Sequence, residues 1–368
     1  MSSTSFSEKL TGSGAQFAAY AGVQAPLAFA NPRDEFAALR GGCAVLDLNW
    51  RAKLVVSGED RTRWLNGMVT NNVRDLPLNQ GNYNFVLNPQ GHIQGDLVAD
   101  NRGDYFLLST DRDQVDGLRQ FLDRHIIMDD VEVTDISNKL ASIALVGPGA
   151  LQAVARAGVP ATRDFTRSGV ESGISLPELQ PYAVHDFVWN GIGLTAARGP
   201  ELLNSIEFWM HPDNAALMWD AFVAAGAKPA GTLAWEWLRI SLGLPRFRID
   251  IRERDLPQET GQQHALHFSK GCYVGQEIVE RIRSRGNVHR VFAGFRVDGA
   301  VPRPGAKIRR GEKDVGEITS AAAVPRLASE GSDLTLALGY IRREAAAPGT
   351  EVNIGPDIAT VESLPFSI

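Results

Sequence analysis

The sequence predicts an α+β protein whose last part is a small antiparallel β-barrel. Helix-patterned and strand-patterned segments alternate at moderate length as far as residue 287. From Arg290 onward, short strand-like runs follow one another, punctuated by Gly and Pro. The chain has 368 residues, 44% hydrophobic and 22% charged, which is ordinary for a globular protein and enough for two or three domains. The divisions expected are an N-terminal extension at 1–32, an α+β region of two lobes at 33–287, and the barrel at 288–368.

Residues 1–32 are rich in Gly, Ala and Ser and only weakly periodic, and Gly12 to Gly14 follow no strand, so no dinucleotide loop is expected there. Phe36 to Leu39 end a short helix. Cys43 to Leu48 and Ala52 to Ser57 read as strands, and Asp60 caps a helix running through Leu65 and Met68. Tyr83 to Asn88 and Ile93 to Val98 form a hairpin about the turn Asn88-Pro89-Gln90-Gly91. Tyr105 to Ser109 is a strand and Arg112 to Arg124 a helix. Ala141 to Val146 leads through Gly147-Pro148-Gly149 into a helix ending at Ala157. This turn lacks the third glycine and the acidic partner of a nucleotide-binding loop. Glu171 to Gln180 is loop-like, and Tyr182 to Val188, Gly193 to Ala197 and Ile206 to Met210 are strand-like. Pro212 opens a helix through Ala225, and Leu233 to Leu242 is helical. The barrel strands are Val291 to Val297, Ala306 to Arg309, Val315 to Ser320, Leu334 to Ile341 and Glu351 to Ile354.

Several function classes are disfavoured. No apolar run reaches the ~18 residues of a membrane span, and Met1 to Leu10 carries no secretory h-region. The only cysteines, Cys43 and Cys272, lie far apart, which suits a reducing compartment, and cytoplasm is the expected location. The net charge of −6 makes the whole molecule no magnet for nucleic acid. Two basic clusters qualify that. Arg246, Arg248, Arg252 and Arg254 are interleaved with acids and read as a salt-bridged face. Arg281, Arg283, Arg285, His289 and Arg290 can take an anionic ligand or RNA. His264 and His267 offer a base or metal ligands near Cys272, but no third ligand is evident, so no metal site is expected.

The most informative stretch is Lys270-Gly271-Cys272-Tyr273-Val274-Gly275-Gln276-Glu277. Ile278, Val279 and Ile282 supply helical spacing after it, and Glu277 stands four residues before Arg281. Cys272 is therefore expected in a loop feeding a helix N-terminus, where the helix dipole and nearby cations favour a thiolate. The same features also suit a small residue in a tight turn.

This string resembles the signature of the YgfZ family, folate-binding proteins similar to the T-protein (aminomethyltransferase) of the glycine cleavage system. The resemblance extends over roughly residues 33–365. Met68 to Val73 resembles that family's Thr-Asn loop, which contains Asn71, and Tyr83 to Gly91 resembles its hairpin. Gly91 to Leu97 resembles a stretch that carries two adjacent aspartates in aminomethyltransferases. Here the first position is Gly95 and only Asp96 remains, which weakens the case for aminomethyl transfer. The resemblance implies a three-lobed, clover-like arrangement of ferredoxin-like α+β lobes and a C-terminal antiparallel barrel, with tetrahydrofolate in a central channel. It implies Glu207 as the carboxylate for the pterin, Arg239 as the cation for the glutamate tail, and Tyr83, Phe208 and Trp209 as aromatic walls, with Asn71 beside the cofactor. It implies Cys272 as the reactive or ligating thiol, Lys270 as electrostatic support for it, and Asp96 as a base or orienting group. The function implied is that of an accessory factor for iron–sulfur enzymes and their assembly machinery, influencing tRNA modification. A folate-dependent one-carbon transferase is the alternative, and direct RNA contact through Arg281 to Arg290 a weaker one.

Overall fold

A computed structural model describes residues 5–160, 162–165, 171–175, 179–286, 288–327 and 332–368. The chain begins with α1 (Phe6–Gly12), the hairpin β1 (Gln16–Tyr20) and β2 (Val23–Ala28), α2 (Pro32–Gly41), β3 (Ala44–Asp47), β4 (Arg51–Ser57) and α3 (Arg61–Met68). It continues with β5 (Gly81–Leu87), β6 (Ile93–Asn101), β7 (Phe106–Asp111), α4 (Val115–Asp123), β8 (Glu132–Asp135), β9 (Ala141–Val146) and α5 (Ala150–Arg156). Next come β10 (Thr162–Phe165), β11 (Glu171–Ser175), β12 (Val184–Trp189), β13 (Ile192–Arg198), β14 (Ser205–Met210), α6 (Ala215–Ala224), β15 (Lys228–Pro229), α7 (Thr232–Leu242) and α8 (Gln276–Arg285). The last strands are β16 (Arg290–Asp298), β17 (Lys307–Arg310), β18 (Lys313–Val324), β19 (Leu334–Arg342), β20 (Glu351–Ile354) and β21 (Asp357–Glu362).

Two larger sheets have the orders β12-β13-β14-β9-β3-β15 and β5-β6-β7-β4-β8. Strands β16-β19-β18-β17-β20-β21 close into a barrel in which every pairing is antiparallel. The α+β class and the C-terminal barrel are thus as the sequence predicts.

By its contacts the chain divides into two compact units. One holds residues 1–65, 73–82 and 97–235, and the other 66–72, 83–96 and 236–368. The first has its main core on one face of the six-stranded sheet, where Val45, Ile143, Leu145, Ile206 and Phe208 meet Met218, Trp219 and Phe222 of α6. Each such large side chain contributes ~2 kcal/mol on burial. The second unit has a barrel core around Phe295, Ile308, Ile318 and Ile341, and a separate cluster around Phe85, Leu87, Ile93, Tyr273 and Val279.

The structure departs from the sequence reading at several places, β8 and β15 having no counterpart in it. Residues 1–32 contain α1, capped by the Ser5–Glu8 capping box, and the β1–β2 hairpin. Its turn places Ala21 and Gly22 at φ of 46° and 84°, a primed-turn geometry in which Ala is an unusual occupant, so the local signal is weak. Glu171–Ser175, expected as loop, pairs as β11 with β10, while residues 176–178 of that expected loop lie outside the described residues. The helices expected from Arg112 and Pro212 each begin as a 3-10 turn before α4 and α6. A sixth strand, β21, closes the barrel after the Gly355-Pro356 turn. The expected division at 287/288 touches Asn287, which lies outside the described residues. Among the described residues no helix is long and apolar enough to cross a membrane.

Candidate functional site

The residues singled out by the sequence fall in both units. In the second unit, Cys272 is exposed, in the loop before α8, as expected. The residues around it have separate structural tasks. Lys270 is buried, and its ammonium donates to the carbonyl oxygens of Val69 (2.7 Å) and Asn71 (2.6 Å) and lies 5.0 Å from the Tyr273 ring centroid. Tyr273 packs into the Phe85–Val279 cluster, and the Val274 N–H donates to the Gly67 carbonyl at 3.0 Å. Gly275, the N-cap of α8, has φ 81°. A Cβ there would stand 2.6 Å from the Asn88 carbonyl oxygen, so only glycine lets the Asn88–Gly91 turn approach α8. Gly271 has open space around it, and nothing in the structure explains it. The resemblance gave Lys270 the task of supporting the Cys272 thiolate. The structure instead commits its ammonium to two carbonyl groups, making it an anchor of the loop.

Tyr83 and Asp96 come together on neighbouring strands β5 and β6, with the phenol donating to Asp96 Oδ2 at 2.6 Å. Both are partly exposed, and the His264 ring lies 5.4 Å from that of Tyr83. Partial burial lowers the His264 pKa. His267 Nδ1 accepts from the Ser269 N–H at 3.2 Å. The Asn71 side chain ties three segments together. Its Nδ2 donates to the Tyr83 carbonyl (3.1 Å) and the His264 carbonyl (2.9 Å), and its backbone N–H donates to Asn84 Oδ1 (2.9 Å). Both amide hydrogens of the expected cofactor residue are therefore already engaged, and its place is a structural one.

Arg239, expected to meet a glutamate tail, is 4% exposed. Its guanidinium bonds to Asp250 (2.8 Å), Glu236 (2.7 Å) and Ser320 Oγ (2.9 Å). Asp250 is fully buried and also accepts from Thr319, Ser320 and the Arg246 N–H. Arg239 thus balances a buried carboxylate and joins α7 to barrel strand β18. The second basic cluster is likewise partly engaged. Arg290 bonds to Asp255 (2.6 Å) and Glu259 (2.9 Å), and the Arg283 guanidinium lies 4.4 Å from the Phe268 ring centroid.

In the first unit, Glu207 lies in the middle of the six-stranded sheet, between Ala197 of β13 and Ala144 of β9. Strand alternation turns Phe208 into the core against Phe222, so Phe208 is no aromatic wall. Glu207 and Trp209 face the other way. Glu207 Oε1 accepts from Lys53 Nζ at 2.8 Å, and that ammonium lies 4.4 Å from the Trp209 ring centroid. Lys53 is 1% exposed and Glu207 19%. Burial pushes Glu207 up, but the Lys53 and Arg51 charges outweigh it and hold its carboxyl below the usual range. Burial pushes nearby Asp100 up to about 7 against the charges of Lys53 and Arg102. A Cβ at Gly81 would overlap Asp100, so glycine makes that carboxyl's room. A hydrogen bond from the Trp209 side chain to Glu207 acts in the same direction as the Lys53 charge. Sequence reasoning missed Lys53, Arg51 and Asp100. The one local signal was a lysine between Ala52 and Leu54 in an otherwise apolar strand.

Comparison with known proteins follows this geometry. Residues 6–270 match the GCVT N-terminal domain family, and residues 290–366 match the glycine cleavage T-protein C-terminal barrel domain. An Arabidopsis thaliana protein, named provisionally as a chloroplastic transferase, is 28% identical over 91% of this chain and 73% of its own length. An aminomethyltransferase of Rubrobacter xylanophilus is 28% identical over 96% of this chain and 91% of its own. One of Geobacillus kaustophilus is 26% identical over 93% and 90% respectively. The crystal structure of the glycine cleavage system aminomethyltransferase T from Bartonella henselae superposes with a TM-score of 0.83 at 21% identity. It covers 97% of this chain and 95% of that one, a likeness of fold.

Proposed function

Because the chain belongs to the glycine cleavage T-protein family, we propose that it is a folate-binding protein of that fold whose working group is the Cys272 thiol. In this reading it is an accessory factor, like the YgfZ proteins it resembles, for synthesis or repair of iron–sulfur enzymes. It influences tRNA modification through a cluster-dependent enzyme. The observation that carries the reading is the exposed Cys272 between two pinned points, the buried Lys270 ammonium and the Gly275 close approach. A thiol held in place and open to solvent can meet another protein's cluster or disulfide. One cysteine cannot hold an iron–sulfur cluster alone, so any cluster is shared with a partner.

Tetrahydrofolate fits the donor set of the first unit. A pterin presents an amino group and a ring N–H side by side, which an ionised carboxylate accepts as a pair. Lys53 keeps Glu207 ionised, and the Trp209 side chain, hydrogen-bonded to that carboxylate, adds to this. When bound, the cofactor supplies a one-carbon carrier, while Glu207 and Trp209 bind and orient its pterin.

A second reading, a folate-dependent one-carbon transferase, is favoured by the Tyr83–Asp96 pair and by the names of the aminomethyltransferase relatives. The experiment is tetrahydrofolate calorimetry on wild type and Glu207→Gln, run beside iron–sulfur client activity and methylamine-donor turnover for wild type and Cys272→Ala. Micromolar binding that weakens in Glu207→Gln, with a folded Cys272→Ala that loses client support, is the expected result. Normal client support by Cys272→Ala sinks the thiol reading, and turnover that survives in that variant favours the transferase.

A further inference from the structure

The second unit also carries a cationic cleft of about 220 Å3. Arg252, Arg254, Arg290, Lys307 and Arg342 line it, together with the carboxylates of Asp314 and Glu317. Arg252 and Arg254 belong to one basic cluster of the sequence and Arg290 to the other, and the fold gathers them with Lys307 and Arg342 around one cleft. Part of the charge is already balanced. Arg290 is bound to Asp255 and Glu259, Asp314 turns to Arg309 at 2.9 Å, and Arg342 lies 3.8 Å from Glu344. What remains is Glu317 facing three cations, with Arg252 and Lys307 each at 2.8 Å and Arg254 at 4.0 Å. Hydrogen bonding from Lys307, with Arg252 adding to it, holds the Glu317 carboxyl at about 2. With Arg290 set against two carboxylates, the four cations Arg252, Arg254, Arg290 and Lys307 face Glu317, Asp255 and Glu259, a local surplus of one positive charge.

Tyr340 is the independent observation. It lines the same cleft, is 2% exposed, and its Oη has no hydrogen-bond partner among the described residues. The register sets it opposite Phe292 on β16 and Glu317 on β18. The Phe292 ring at 5.5 Å and the Arg290 guanidinium at 4.8 Å hold its ring. A buried hydroxyl left unpaired costs ~1–3 kcal/mol, so its place on the wall of a charged cleft calls for a partner. Burial pushes the phenol above its ordinary range, which keeps it a neutral donor. Arg252 Nε is a second buried donor without a partner. Both orphan groups donate and the surplus charge is positive, so the complementary ligand is an anion rich in acceptor oxygens. Arginine forks match the oxygens of a phosphate, whose tetrahedral set of acceptors can meet several of these donors at once.

We infer that this cleft binds a phosphate group, free or as a small monoester, with Tyr340 Oη and Arg252 Nε as donors and Lys307 and Arg254 as charge partners. Glu317 is the built-in competitor, since the bound anion shares its cations.

The test titrates inorganic phosphate and glycerol 3-phosphate into the full-length protein labelled with 13C in its tyrosine rings, with chloride holding the ionic strength constant. A saturable shift of the Tyr340 resonance is expected, together with an unfolding midpoint that rises with ligand. Tyr340→Phe removes only an unpaired hydroxyl. Without phosphate it stays as stable as wild type or more so, while its phosphate affinity falls about tenfold or more. Lys307→Met weakens binding as well. Saturation by either ligand supports the site, and the tighter one identifies the source. A non-saturating response that chloride reproduces, or one equal in wild type and Tyr340→Phe, overturns the proposal. So does a phosphate-free Tyr340→Phe that is markedly less stable, because the hydroxyl would then have a structural partner. Binding confined to oligonucleotide phosphodiesters overturns it too.

Discussion

Replacing Lys270 by Met separates two roles that one side chain can play beside a thiol. The ammonium donates to the Val69 and Asn71 carbonyls at 2.7 and 2.6 Å from a site 6% exposed. A hydrogen bond from a charged donor is worth ~1.5–3 kcal/mol net, so losing both removes roughly 3–6 kcal/mol. Methionine fills much of the volume and abolishes the cost of burying an ammonium, which offsets part of that loss. A net destabilisation of about 3 kcal/mol results, seen as a drop of roughly 6–12 °C in the unfolding midpoint. The assay pairs urea and thermal unfolding with the rate at which Cys272 reacts with a thiol reagent at neutral pH. Because Cys272 is already exposed and the ammonium points to carbonyls, the alkylation rate of the folded variant should stay within about twofold of wild type. A variant with wild-type stability refutes the anchoring role. A variant that loses thiol reactivity tenfold or more while remaining folded restores Lys270 as electrostatic support.

Two further outcomes follow from buried carboxylates. Burial pushes Asp47 from 3.8 up to about 7, against the Asn49 N–H and the charge of Arg112. The folded state therefore keeps a proton that the unfolded state releases near 3.8. The stability this gives is whole below that value and is lost as pH rises through about 7. Asp47→Asn, unfolded in urea across the pH range, should be more stable than wild type at alkaline pH by up to ~4 kcal/mol, with the difference closing in acid. A difference that does not change with pH overturns this. In the second unit, Arg239→Ala leaves Asp250 buried without its counter-charge and should cost ~3–5 kcal/mol by chemical denaturation. Adding Asp250→Asn should recover part of it, and a near-neutral Arg239→Ala shows that the arginine is not structural.

What could be read in the sequence was local. The Asn88–Gly91 turn, the start of α8 and the loop holding Cys272 each announce themselves within about ten residues through turn chemistry and apolar spacing. Five barrel strands do so too, while β21 has only Ala359 and Val361 facing inward and a Gly-Pro pair that reads as a terminus. The electrostatic partners were out of reach for a different reason. Lys53 and Glu207 are 154 residues apart, and Lys270 and Asn71 are 199 apart. No periodicity links such residues, and a lone strand lysine or loop asparagine has an ordinary surface explanation. Arg239 misled because a helix arginine beside a family motif invites a ligand, whereas its carboxylate partner, Asp250, lies in a loop with no pattern of its own.

The contrast between the chain's two thiols bears on where its chemistry lies. Cys43 is buried in the first unit's core, and burial pushes its thiol up to about 11 despite the charge of Arg156, so at neutral pH it stays protonated and enclosed. A buried neutral thiol is a small apolar residue, and its reactivity is suppressed twice, by access and by charge. Cys272 is exposed in a loop pinned at Lys270, at the Val274 N–H and at Gly275. An exposed side chain between such anchors gains no packing energy from being cysteine, so packing does not account for sulfur at that position. Anchoring does account for something else, because a thiol in a fixed place meets an incoming surface without the entropy cost of ordering its loop. If the proposed thiol role holds, that role is completed by a molecule that approaches from outside, and the identity of that molecule decides whether the thiol ligates, exchanges or transfers.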